Sequence, residues 1–262
     1  MHIKRLLAAS AALSVTLALA ACASMDSGPK PLTAADYAPI LANSGRTDAD
    51  LKDDAARQPA KVLEFARIRP GDNILEMEVG RGWYTEILSV AVGPQGHVTT
   101  QNPAEFDYSA PALATRRAAG HLKNVTDITS HFDDLSKVPS GSEDKVLWIL
   151  GPHEMWFQPK GGHLVDVGPE KGFAEIVRVL KPGGEFIVMD HAADKGAPTT
   201  TGNAIHRIDP AVVMDLATRA GLKFDAKNDV LANPQDDRTK RVFDPTIRRH
   251  TDQFLYRFYK AS

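Results

Sequence analysis

The chain of 262 residues has the length of one large domain or two small ones, and its 43% hydrophobic and 24% charged residues belong to a globular protein able to bury a core, which excludes disordered and collagen-like chains. Lys and Arg number 31 against 33 Asp and Glu, a net charge of -2 that gives no ground for a strongly basic nucleic-acid binder. The single cysteine excludes an intramolecular disulfide framework and any multi-cysteine zinc or iron–sulfur site.

At the N-terminus, Lys4 and Arg5 precede a charge-free run from residue 6 to residue 21, rich in Ala and Leu. This is the pattern of a secretory signal and is short for a membrane span. The run ends Leu19-Ala20-Ala21-Cys22, which resembles the lipobox of bacterial lipoproteins. That resemblance implies removal of residues 1–21, with Cys22 as the lipidated first residue of the mature chain. Each buried acyl CH₂ contributes about 0.8 kcal/mol, so a multiply acylated Cys22 would anchor a soluble domain to a membrane surface. Ala23 follows the cysteine where inner-membrane lipoproteins often carry Asp, which points to the outer membrane, facing the periplasm. The alternative is a plain signal peptide cut nearby, with Cys22 incidental. Residues 22–33, with Gly28, Pro29 and Pro31, read as the lipidated tether.

From residue 34 to residue 70 the apolar positions fall at helical spacing in two blocks, Tyr37, Ile40 and Leu41, then Val62, Leu63, Phe65 and Ala66. Pro59 is placed to open the second helix, and residues 69–72, Arg-Pro-Gly-Asp, form a turn. This segment is expected to be an N-terminal helical cap. After it, short apolar runs alternate with longer amphipathic stretches, the sign of βα units in a parallel sheet. Strands are expected at 73–77, 97–101, 125–128, 145–150 and 185–190, with helices at 84–92, 110–120 and 168–179. A helix at 210–220 and two terminal strands, 222–231 and 253–260, complete a single domain over residues 71–262.

The first strand runs into Gly80-Arg81-Gly82 and then the amphipathic helix beginning near Tyr84. Glycines there let backbone approach a ligand, and a helix start offers free N–H groups and a positive dipole end. A tight βα turn with no ligand is the competing reading. Together with Lys181-Pro182-Gly183-Gly184 before the fifth strand, this segment resembles the class I S-adenosylmethionine-dependent methyltransferases. More narrowly, residues 80–86, Gln101-Asn102-Pro103, Asp190-His191-Ala192-Ala193 and His206-Arg207-Ile208-Asp209 resemble a family of bacterial predicted methyltransferases with exported members.

The resemblance implies an α/β fold: a doubly wound, Rossmann-like, seven-stranded methyltransferase sheet closing in a C-terminal antiparallel hairpin. It implies S-adenosylmethionine as cofactor, with Glu76 at the end of the first strand and Gly80 and Gly82 against the methionine part. The position that meets the ribose hydroxyls falls on Asn102, the adenine position on Asp133, and Leu150 opens the methyl-transfer side. One position departs from the pattern: Glu78 stands where the first glycine is expected, so a charged side chain enters space that backbone usually leaves to the cofactor.

His153 follows the fourth strand, at the carboxyl edge where open α/β sheets bind ligands, and is the expected general base. Glu154 or Asp190 would orient it, and His191 and His206 are the next candidates. Those residues with Asp209 are also suitable metal ligands, but no short ligand spacing supports a metal site and none is expected. The sequence thus predicts a methyltransferase acting on a small-molecule acceptor, membrane-associated through its lipid and without a nucleic-acid partner. A binding or scaffold protein that kept the fold and lost the cofactor is the second reading, and a metal-assisted hydrolase the third.

Overall fold

The computed structural model describes residues 32–105, 110–160 and 167–262; the signal, Cys22 and most of the tether lie outside these. The cap comprises α1 (Ala34–Asn43), α2 (Asp48–Leu51), α3 (Asp54–Arg57) and α4 (Pro59–Ala66). Pro59 opens α4 as expected, since its missing N–H falls on a position without an intrahelical partner. The Tyr37 hydroxyl donates to the Ile68 carbonyl at 2.6 Å, which fixes α1 against the end of the segment leading into the sheet.

The described residues form a seven-stranded sheet: β1 (Asn73–Met77), β2 (His97–Pro103), β3 (Val125–Ser130), β4 (Glu143–Ile149), β5 (Leu180–His191), β6 (Leu222–Asn228) and β7 (Gln253–Lys260). Their order is β3-β2-β1-β4-β5-β7-β6. The pairings from β3 to β5 are parallel, while β7 is antiparallel to both β5 and β6. The expected fold class, including the antiparallel C-terminal hairpin, is therefore present. Helices α5 (Trp83–Val92), α6 (Ala110–Ala118), α7 (Pro169–Val179), α8 (Thr201–Ile205) and α9 (Pro210–Arg219) complete the architecture.

The central strands are apolar on both faces because both are covered. Ile74, Leu147 and Ile187 pack with α4 and α5 in one core, whereas Leu75, Val146, Trp148 and Phe186 pack with α7 and α9 in the other. Trp148 is fully buried, stacked on Phe132 with ring centroids 5.3 Å apart, as its position in an apolar run predicts.

Several boundaries differ from expectation. β5 starts at Leu180, with Lys181-Pro182-Gly183-Gly184 held as an irregularity: Glu143 faces Leu180, and pairing resumes at Lys145 with Glu185. β6 ends at Asn228 rather than residue 231, and the long segment 229–252 returns across the strand ends. Its anchor is Arg207, whose guanidinium meets Asp236 at 2.9 Å with both side chains fully buried.

Candidate functional site

Strand order reverses at β1, with β2 on one side and β4 on the other, so the carboxyl ends of β1 and β4 border the crevice where such sheets bind ligands. From Met77 the chain turns into α5 with left-handed φ values of 53° at Glu78, 57° at Gly80 and 74° at Gly82. Among the described residues a Cβ on Gly80 would meet only the Glu78 carbonyl oxygen, at 3.9 Å, so none of them crowds that face of the turn. A Cβ on Gly82 would lie 2.9 Å from Leu113 Cδ2 and 3.2 Å from the Arg116 side chain, so a side chain there would displace those of α6 in addition to straining the left-handed φ. The cap covers this corner, with Trp83 Nε1 donating to the Asp50 carbonyl at 2.9 Å and Arg116 gripping the Asp50 carboxylate.

Glu76 is buried beneath the turn and accepts from the Thr85 hydroxyl at 2.6 Å; burial pushes its carboxyl up to about 8. Asn102 is buried at the end of β2, and its Nδ2 donates to the Ile128 carbonyl at 3.2 Å. Asp133, beyond β3, accepts from the Gly168 N–H and from Lys171 Nζ, each at 3.3 Å, and so faces the start of α7. Leu150 leaves β4 with φ 60°, its N–H donating to the Met189 carbonyl at 2.7 Å. Glu76, Gly80, Gly82, Asn102 and Leu150 thus sit at the carboxyl ends of adjacent strands.

Glu78 turns its carboxylate into the crevice. Trp148 Nε1 donates to Glu78 Oε2 at 3.1 Å, and a Cβ on Gly151 would collide with both groups, at 2.0 Å from the indole nitrogen and 2.2 Å from that oxygen. Desolvation, then the charge of Glu154, raises the Glu78 carboxyl well above the usual range, against the opposing pull of His153.

His153, in the tight helical turn Pro152–Trp156 after β4, is buried. Both oxygens of Asp190, at the end of β5, hold it: Oδ2 accepts its backbone N–H and Oδ1 faces ring Nδ1, each at 2.8 Å. Its Nε2 lies 3.3 Å from Glu154 Oε1 and 3.2 Å from His206 Nδ1, and that His206 nitrogen is itself 3.3 Å from Glu154 Oε1. Burial opposes the charge on His153, but the carboxylates of Asp190 and Glu154 outweigh it and push the imidazole up to about 10. Burial likewise opposes the charge on Glu154, yet the two histidines bring its carboxyl down to about 2. His191, whose Nδ1 meets the Thr251 hydroxyl at 2.7 Å, is held well below its ordinary value by burial and by cationic His153 and Arg207.

Sequence reasoning named His153, Glu154, Asp190, His191 and His206, and the structure gathers them at the ends of β4 and β5. It missed Arg241, on the segment returning over the edge, whose Nη2 is 2.9 Å from His206 Nε2 and whose guanidinium lies 5.4 Å from the Phe243 ring centroid. Nothing local in the sequence announces that contact, because segment 229–252 lacks regular structure and its position depends on the buried Arg207–Asp236 pair.

No family model matches the chain. In sequence it is similar to the protein-L-isoaspartate O-methyltransferase of Ignicoccus hospitalis, 28% identical over 144 residues, covering 51% of this chain and 65% of that protein, slightly under two thirds of its length. In structure it is similar to a SAM-dependent methyltransferase from Aquifex aeolicus (TM-score 0.57, 19% identity, covering 86% of this chain and 98% of that one). It is also similar to the 4+2 cyclase SpnF (TM-score 0.57, 17% identity, 84% of each chain), whose name describes a different reaction. The chain therefore has the fold of the class I S-adenosylmethionine-dependent methyltransferases and, over about half its length, a detectable sequence likeness to one of them.

Proposed function

We propose that the protein is an S-adenosylmethionine-dependent methyltransferase acting on a small molecule and held at the cell envelope by a lipid on Cys22. The observation that carries this reading is the glycine turn at the strand-order reversal, uncrowded over Gly80 among the described residues and backed by the first N–H groups of α5. The cofactor would supply an electrophilic methyl group on a sulfonium. Gly80 would admit it to the turn, Asn102 would offer an amide to its ribose hydroxyls, and Leu150 would border its reacting end. Asp133 is the proposed adenine contact.

Methyl transfer from a sulfonium depends mainly on alignment, with a base where the acceptor must lose a proton. His153 is the proposed base, oriented by Asp190. Asp190 holds ring Nδ1, which leaves Nε2, beside Glu154 and His206, as the nitrogen that would take the acceptor's proton.

A second reading, a fold that binds without using the cofactor, is favoured by one observation: the buried Glu78 carboxylate fills the crevice between Trp148 and Gly151. Isothermal titration of residues 22–262 with S-adenosylmethionine separates the two. Saturable binding that strengthens in Glu78→Gly supports the enzyme; no heat from either protein at millimolar cofactor leaves the second reading standing.

A further inference from the structure

We infer that His153, Glu154 and His206 form a binding site for a single divalent transition-metal ion, zinc being the best match. Three potential ligand atoms converge: His153 Nε2, His206 Nδ1 and Glu154 Oε1 are separated by 3.2, 3.3 and 3.3 Å. Donors about 2.0–2.1 Å from a tetrahedral zinc ion stand roughly 3.3–3.4 Å from one another, so this near-equilateral triangle has the dimensions of one face of the zinc tetrahedron. As hydrogen bonds the same contacts are poor, because charge-assisted N–H···O⁻ bonds shorten to about 2.7–2.9 Å. Two ring nitrogens 3.2 Å apart, each 3.3 Å from one oxygen, cannot both donate to it without setting N–H against N–H.

Two further observations point the same way. Glu154 Oε2 is buried and has no hydrogen-bond partner among the described residues, a costly state for a carboxylate oxygen that a cation would relieve. Asp190 Oδ1 lies 2.8 Å from His153 Nδ1, the outer carboxylate that fixes a metal-binding imidazole with its other nitrogen free for the ion. Two nitrogens and one oxygen suit zinc better than magnesium or calcium, which favour all-oxygen shells. A three-residue set leaves a fourth position for water or an acceptor atom, as in catalytic rather than structural zinc sites.

One adjustment accompanies binding. With the ion on Nδ1, His206 carries its ring proton on Nε2, and the exposed Arg241 guanidinium, 2.9 Å away, turns back toward Phe243. The site is at the acceptor side of the sheet edge. With the ion on Nε2 and Asp190 on Nδ1, His153 no longer serves as the base. If the proposed methyl transfer is correct, the ion would take over that task by holding an acceptor oxygen or thiol and lowering its pKa, a role that rests on that reading, whereas metal binding itself does not.

The test uses residues 22–262 stripped with chelator, dialysed, and titrated with Zn²⁺ alone, with Co²⁺ as a spectroscopic substitute and no methyl donor present. One equivalent of bound zinc, a rise in melting temperature and the intense visible absorption of tetrahedral Co²⁺ are expected. His206→Ala and Glu154→Gln should abolish stoichiometric binding. Asp190→Asn should weaken it about 10–100-fold. His97→Ala, at the opposite edge of the sheet, should leave it unchanged. Each variant is checked for folding by circular dichroism, and the cobalt spectrum of the parent chain stands whether or not a variant folds. Substoichiometric zinc, an octahedral cobalt spectrum, or full binding by folded His206→Ala would overturn the site. Methyl transfer is tested separately, by titration with the cofactor, so either proposal can fail without the other.

Discussion

Trp148 donates its indole N–H to Glu78 at 3.1 Å, joining the end of β4 to the turn after β1 across the crevice at the centre of the sheet. Trp148→Phe keeps an aromatic ring to stack on Phe132 but removes the donor from a buried carboxyl. An unsatisfied buried polar group costs about 1–3 kcal/mol, so the variant should unfold at lower urea with an unchanged m-value. Urea unfolding followed by circular dichroism would check this; an unchanged midpoint would contradict the buried bond.

Glu76 gives a pH signature. Its carboxyl is pushed up to about 8 in the fold, against 4.5 for an ordinary glutamate, so between those values the folded chain binds more protons than the unfolded chain. The stabilising effect is complete below the unfolded value and is lost as pH rises through the folded one. Its contribution falls by up to about 1.4 kcal/mol per pH unit. Urea midpoints compared at pH 5 and pH 8.5 should show a smaller fall in Glu76→Gln than in the parent chain.

The two glycines of the turn should respond differently to alanine. Both have left-handed φ, a cost of about 1–2 kcal/mol for a side chain, but only at Gly82 does the new methyl meet Leu113 Cδ2, at 2.9 Å. Gly82→Ala should therefore destabilise more than Gly80→Ala in thermal unfolding. Gly80→Ala puts its methyl into the uncrowded side of the turn and should act mainly on cofactor affinity in the titration.

Asp236→Ala leaves Arg207 charged and fully buried, and breaking such a pair costs about 3–5 kcal/mol. Because the pair anchors segment 229–252, limited proteolysis should cut that segment faster in the variant than in the parent chain. Equal cleavage rates would show that other contacts hold it.

Cys22→Ser tests the envelope assignment. The variant should move from the membrane fraction to the soluble fraction when membranes and supernatant are separated and probed; undiminished membrane retention would remove the lipid anchor.

By itself the sequence determined the sheet and its sense. The apolar runs at Ile74 and Leu75, Val146 and Leu147, and Phe186 and Ile187 have no polar alternation, so both faces had to be covered by helices, and the Gly80-Arg81-Gly82 turn marked where the first helix begins. The sequence also brought His153 and Asp190 to the same sheet edge, because strand ends are local features. Tertiary structure decided what those ends do to one another. Glu78 reaches Trp148 across 70 positions of sequence, and His153 reaches His206 across 53. Arg241 reaches His206 across 35, carried by a segment without regular structure. These contacts arise from packing between distant segments and leave no periodicity to read. They turned separate candidate histidines and acids into one cluster with fixed distances and shared charge.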